Sequence, residues 1–301
     1  MIDYDYKVSV HMLAYQHASY IRQALDSILM QKVDFRYEIV IGDDCSTDGT
    51  QDILKEYKKK YPDKIHLILN KKNIGTIGNS VRVIKHCRGK YIACLEGDDF
   101  WTDDRKLQIQ IDFLDQNPEY AACYHYTNVI GNDKKLCKTY RMARYDINSY
   151  DQYFSEIPSL PTASLVMRNI FHENDYFYYF QTKYIGDRIV QALILKHGKI
   201  KYIDRTMCTY RFITNGTYSY SSQSYFIRQK DYIQALKMQR EIAPIKYYPI
   251  VTNLITRIQK DLIISLISVG SYKNVLLYWW NDLVIKEKIN IMSKSKTLNN
   301  I

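Results

Sequence analysis

Over the first hundred residues, short apolar runs alternate with longer amphipathic stretches, and that alternation leaves few architectures open. Val8–Leu13, Tyr37–Ile41, Ile65–Leu69 and Tyr91–Leu95 read as buried strands. Between them, Ile21, Ala24, Leu25, Ile28 and Leu29 recur at helical spacing, with Ser19 as the expected cap. Ile53, Leu54, Tyr57 and Tyr61 mark a second helix, with Lys58, Lys59 and Lys60 outward and Pro62 as its stop; Asp48 and Gln51 fit a capping box at its start. Ile77, Val81 and Ile84 mark a third, ended by Gly89. Strand–helix alternation with short connections predicts a parallel α/β sheet with right-handed crossovers and helices on its faces. Such sheets bind ligands at the carboxyl ends of their strands, where strand order reverses.

Two acidic clusters fall at those ends. Asp43-Asp44 follows the second strand, and Glu96, Asp98 and Asp99 follow the fourth. Carboxylates crowded at the end of a buried strand repel one another and lose hydration, so something positive should offset them. A divalent cation with oxygen ligands, serving a phosphate-bearing substrate, is the functional reading. A solvated acidic turn that caps the next helix is the plain alternative.

Further along, Asp103 or Asp104 is expected to cap a helix carrying Leu107, Ile111 and Leu114, closed by Asn117-Pro118. Tyr120–Val129 and Pro161–Met167 read as strands, Gly186-Asp187 opens a helix ended by Gly198, and Ile200–Ile203 and Met207–Phe212 read as two closing strands. From Ser224 the pattern is helical, with Val251, Leu254, Ile255, Ile258, Leu262 and Leu266 on one face and Trp279-Trp280 beyond.

Of the net charge of +10, most lies in residues 226–301, where twelve Lys/Arg face five Asp/Glu. That tail is read either as a helical pair packed on the catalytic body or as a peripheral contact with anionic membrane. A nucleic-acid-binding protein would also be basic, but the charge sits away from the acidic motifs, so no nucleic acid is expected. No C-x-x-C pair suggests zinc, and neither a P-loop nor a G-x-G-x-x-G points to ATP hydrolysis or NAD. His11, His17 and His125 have no metal-ligand spacing. With no apolar leader or spanning run in view, the expected location is cytoplasmic, or peripheral on the inner face of the cell membrane.

The order of motifs resembles an inverting family-2 glycosyltransferase of GT-A fold, over roughly residues 7–217. Ala14-Tyr15-Gln16-His17 is similar to the turn after the family's first strand, with Ala14 and Gln16 departing from its commonest residues. Gly42-Asp43-Asp44-Cys45-Ser46-Thr47-Asp48-Gly49-Thr50 resembles its D-D-x-S-x-D-G-T motif, and Asn73-Ile74-Gly75 with Asn79 its N-x-G…N loop. Glu96-Gly97-Asp98 stands in the place of its D-x-D; with Asp99, Phe100 and Trp101 it resembles a bacterial E-G-D-D-[FY]-W subgroup, whose G-D and Y-R motifs match Gly186-Asp187 and Tyr210-Arg211.

The resemblance implies a GT-A catalytic domain over residues 1–222, its nucleotide-binding half ending near 100, and a helical extension over 223–301. It also implies roles. Asp44 would accept from a uracil N–H, with Tyr15 flanking the base. Asp98 would hold Mg²⁺ or Mn²⁺ on the donor's diphosphate, and Glu96 would touch the ribose or a metal-bound water. Asn79 completes the donor side, and Arg211 would reach the diphosphate late in the cycle, with a surface salt bridge as its plain alternative. Asp99 would face the acceptor or the donor sugar, and Trp101 the acceptor, although packing is a close rival for Trp101. Asp187 would be the general base, with helix capping as its plain alternative. The expected activity is metal-dependent, inverting transfer from a nucleotide-sugar donor, UDP-linked by expectation, to a saccharide or lipid-linked acceptor in bacterial surface-polysaccharide synthesis. A sugar-nucleotidyltransferase is the runner-up.

Overall fold

The computed structural model describes residues 4–131, 135–137, 142–183, 185–212 and 223–268. Strands β1 (Tyr6–Ala14), β2 (Tyr37–Asp43), β3 (Ile65–Leu69) and β4 (Gly89–Glu96) alternate with helices α1 (Ile21–Leu29), α2 (Thr50–Lys60) and α3 (Gly75–Ile84). Then come β5 (Phe100–Trp101), α4 (Lys106–Gln116), β6 (Tyr120–Ile130), α5 (Tyr150–Glu156), β7 (Val166–Arg168), α6 (Tyr176–Phe180), α7 (Gly186–His197), β8 (Lys199–Arg211), α8 (Tyr225–Ile242) and α9 (Tyr248–Ser268).

The strands form one sheet in the order β3-β2-β1-β4-β7-β6-β8-β5. The first four are mutually parallel, as expected; β7 runs antiparallel to β4 and β6, β8 runs parallel to β6, and β5 runs antiparallel to β8.

Alternating side chains serve the two faces. Val8, Val10, Met12, Ile39, Ile41, Tyr91, Ala93 and Leu95 pack with α1, α2 and α4. Val40, Ile92 and Cys94 join α3, α5, α7, α8 and α9 on the other side. The described part of the tail is therefore built into the body. Ile233, Leu236, Val251, Ile255 and Leu262 share a core with Ile189 and Leu193. Trp279-Trp280 lie outside the described residues. Among the described residues no helix is long and apolar enough to cross a membrane.

Several local expectations are corrected. Ser19 does not cap α1: Tyr20 takes the cap position, and the His17 carbonyl accepts the Tyr20 and Ile21 N–H groups. The capping box does not form, because Gln51 turns to Asp43 while Asp48 accepts the Thr50 N–H at 3.0 Å. Asp103 accepts the Arg105 N–H one residue short of α4, whose cap position is Arg105. The run before Met167 is a 3₁₀ turn at Thr162–Ser164 followed by a three-residue strand. The two closing strands are one, β8, which stays paired to β6 through register shifts.

Candidate active site

The strand order reverses between β1 and β4, and register brings the acids together there. Ala14, last in β1, pairs with Asp43, while its neighbour Leu13 pairs with Glu96. Both acidic loops are also stitched to β1: the Asp44 N–H donates to the Ala14 carbonyl at 2.9 Å and the Gly97 N–H to the Leu13 carbonyl at 2.8 Å. Tyr15, half-buried, follows between them.

Asp43 and Asp44 divide the work of the first loop. Asp43 is enclosed and bound to the Ser46 N–H, the Ser46 hydroxyl and the Gln51 amide, which fixes the turn. Asp44, 4% exposed, accepts from the Ile74 N–H at 2.8 Å, the Asn70 amide at 3.1 Å and the Gly75 N–H at 2.9 Å. It thereby ties the end of β2 to the start of α3. A carboxylate has about four acceptor positions, so about one remains for a ligand N–H. Asn79 was expected on the donor. Its amide is 2% exposed and spans the Gly42 carbonyl and Asn70, so it positions Asn70 from behind the cleft wall.

The second loop is held by Arg211 at the end of β8. Its N–H donates to Asp99 Oδ1 at 2.8 Å, and its guanidinium bonds the Asp98 carbonyl and Gln23 while lying over the rings of Phe100 and Tyr20. The expected reach toward a diphosphate is not what the side chain does here; the loop itself takes it up. Asp99 is 2% exposed, and burial, then the Asp98 charge, push its carboxyl well upward. Trp101 is a correction to the acceptor-pocket expectation. It is 1% exposed, donates to the Ala163 carbonyl at 3.0 Å, and packs in the core. Lys106 Nζ lies 4.3 Å above its ring and donates to Gln110 at 2.6 Å; burial holds that amine down at about 8.

Glu96 feels the charge of its neighbour Asp98 and that of Asp187, which is far away in the chain. Burial, with the charges of Asp98 and Asp187, pushes Glu96 up to about 8. Asp187 lies in the first turn of α7, past the cap position at Ile185, and burial raises its carboxyl as well. The helix start places it, since close contact of Gly186 with Ile77 and Tyr179 seats α7 against α3 and α6.

Among the described residues no three His, Cys, Asp or Glu side chains form a metal cage. The residues fit a different kind of ion site. A half-buried carboxylate, Asp98, stands beside Glu96, whose carboxyl is pushed up by burial and by the charges of Asp98 and Asp187. That suits a hard cation completed by phosphate oxygens and water. The reading from motif spacing overlooked Asn70 and His17. Asn70 lies three residues before the Asn73-Ile74-Gly75 turn, a polar residue directly after an apolar strand, which is the signal that would have found it.

The sequence model described as Glycosyl transferase family 2 matches residues 9–176. An uncharacterized protein of Mycobacterium tuberculosis is 33% identical over 220 residues, covering 69% of this chain and 60% of the relative. The chain thus spans about three fifths of the length of such relatives. A putative teichuronic acid biosynthesis glycosyltransferase of Bacillus subtilis, TuaG, is 37% identical over 107 residues, covering 36% of this chain and 41% of TuaG. The crystal structure of S. aureus TarS in complex with UDP superposes with TM-score 0.61 at 17% identity, over 83% of this chain and 71% of that one. A mannosyltransferase of Pyrobaculum calidifontis, in complex with GDP-Man and Mn2+, superposes with TM-score 0.56 at 13% identity, over 98% and 84%. These likenesses show the fold.

Proposed function

The chain belongs to glycosyl transferase family 2, and from that premise we propose that it transfers a sugar from a nucleotide-diphosphate donor to an acceptor hydroxyl in surface-polysaccharide assembly. The observation that carries the proposal is the acidic rim at the point of strand reversal, where the charges of Asp98 and Asp187 bear on Glu96 and push its carboxyl up, while the nearby cations Arg188 and Arg211 act on Asp187 and on Asp98 and Asp99. In support, TuaG is named for teichuronic acid biosynthesis, one superposed structure holds UDP, and the other holds GDP-Man and Mn2+.

Asp44 receives the base edge with its remaining acceptor position, and Tyr15 flanks the ring. Asp98 would hold Mg²⁺ or Mn²⁺, which would supply stabilisation of negative charge on the departing nucleoside diphosphate. Glu96 stands toward the ribose. Asp187, its basicity raised by burial, takes the proton of the acceptor hydroxyl, which attacks the anomeric carbon from the face opposite the leaving group. The displacement is single and in line, and the anomeric configuration inverts. Asp99 is too enclosed to meet an acceptor directly and shapes the loop that does.

A screen of nucleotide sugars for metal-dependent hydrolysis and thermal stabilisation tests the reading. At least one should stabilise the protein in Mn²⁺ and release a nucleoside diphosphate, and Asp98→Ala should lose both responses. Release of pyrophosphate would replace the proposal with nucleotidyl transfer.

A further inference from the structure

His17 sits in the β1–α1 loop with its side chain beside Asp98, and the motif that contains it assigns it no role. Its backbone is fixed three ways: the N–H donates to Thr50 Oγ1 at 2.9 Å, and the carbonyl accepts the N–H groups of Tyr20 and Ile21 at 2.8 Å each. The ring is fixed as well. Nδ1 is enclosed with no hydrogen-bond partner among the described residues, packed so closely on Gly97 that a Cβ there would lie 2.7 Å from it. Nε2 faces the other way, 3.8 Å from Asp98 Oδ2.

The ring's tautomer follows. In a neutral imidazole one nitrogen donates and the other accepts. An enclosed N–H without an acceptor is the costlier orphan, whereas a proton on Nε2 points at a carboxylate. The proton therefore belongs on Nε2. The glycine between Glu96 and Asp98 acquires a reason too, since any larger residue would drive the ring off this line and strike Ile21 Cδ1, 2.8 Å from the same Cβ.

We propose that His17 is a positioning residue for Asp98: its Nε2–H orients the carboxylate that holds the cation and closes to hydrogen-bond distance when cation and diphosphate bind. The inference rests on the reading of Asp98 given above. Apo hydrogen bonds of this kind are often long and tighten in the complex, and partners behind a metal-binding carboxylate typically change metal affinity about 10- to 100-fold.

The test uses UDP with Mn²⁺ as the probe, by calorimetry on the full chain. Wild type should bind UDP only with the metal. His17→Leu should weaken metal-dependent UDP binding about 10-fold or more at an unchanged melting temperature, while His17→Gln, whose amide can present an N–H near Nε2, should stay within about threefold. The double variant with Asp98→Ala should bind no more weakly than Asp98→Ala alone. With Mg²⁺ and UDP, the ¹⁵N spectrum should keep the Nε2–H tautomer of His17 and shift its Nε2 signal. If wild type shows no metal-dependent binding of UDP, GDP or any other nucleoside diphosphate, the functional reading fails and this inference with it. If wild type binds and His17→Leu binds equally well, or His17→Gln falls as far as His17→Leu, only the role of His17 is overturned. Should His17→Leu fail to fold, the glutamine variant and the spectrum decide: an unmoved Nε2 signal overturns the proposal.

Discussion

The two ends of one sheet treat their carboxylates in opposite ways. At the amino end, Glu38 is 1% exposed but fully met: Ser9 Oγ donates at 2.7 Å, the Arg88 N–H at 2.8 Å and the Arg88 guanidinium at 2.7 Å. Asp115, beside the starts of β1 and β4, is likewise surrounded. Burial works to raise its carboxyl, but hydrogen bonds from Lys7, Lys90 and Tyr91 outweigh that and hold it well below the usual range. At the carboxyl end Asp43 and Asp44 are met by hydrogen bonds, but Glu96 meets the charges of Asp98 and Asp187, and burial raises Glu96, Asp99 and Asp187 alike, against Arg211 at Asp99 and Arg188 at Asp187. Acids at the amino end help hold the fold together. Glu96, Asp99 and Asp187 at the carboxyl end keep raised carboxyls, as functional sites do. Stability and binding are thus kept at opposite ends of the same strands.

Four experiments would break or sharpen this contrast. The largest effect is expected at Asp187→Asn, which should keep donor binding but lower transfer about 1000-fold in kcat; near-normal turnover would end its assignment as base. Next, Glu38→Gln should lower unfolding stability by about 3 kcal/mol in urea, because it leaves a buried donor cluster around an amide. A loss below about 1 kcal/mol would mean the amino end is not the strong one.

Glu96→Gln should leave metal-free stability unchanged or higher, since it removes a carboxyl that is costly to ionise. The sign of the pH effect follows. A carboxyl raised in the fold contributes stability fully below its ordinary value, and loses it as pH rises through about 8. Metal-free wild type should therefore lose more stability than Glu96→Gln between about pH 6 and about pH 9 in urea titrations; parallel losses would refute the raised carboxyl. The smallest effect belongs to Lys90→Ala, about 0.5 kcal/mol, because Lys7 and Tyr91 still hold Asp115 and the site is half-exposed.

How much of this could be read from the chain follows from burial. β1, β2 and β4 are covered on both faces, so their apolar runs are continuous and legible. β5 and β7 are two and three residues long and exist through pairing to distant strands, which no local pattern records. The exposed Asp204-Arg205-Thr206 segment made β8 look like two strands, yet the backbone ladder to β6 carries through it. At the site, the acids were legible as motifs, but their division of labour was not. Whether a carboxylate faces a ligand or a backbone N–H depends on contacts such as Asp44 to Ile74, thirty residues away. Trp101 misled for a related reason: an aromatic after an acidic turn looks like a binding residue until the buried Lys106 and the Ala163 carbonyl are seen to claim it.

One feature of the core offers a kinetic handle. Cys87, Cys94, Cys123 and Cys208 are buried, and the last three are pushed by burial up to about 12, whereas Cys45 and Cys137 are half-exposed. Each buried thiol belongs to a different piece of the framework: just beyond α3, on β4, on β6 and on β8. An alkylating reagent followed by mass spectrometry therefore acts as a set of four clocks, each ticking only when its own segment breathes open. If donor binding slows the Cys94 clock more than the Cys123 clock, the nucleotide half tightens on its own. If all four slow together, the molecule breathes as one cooperative unit.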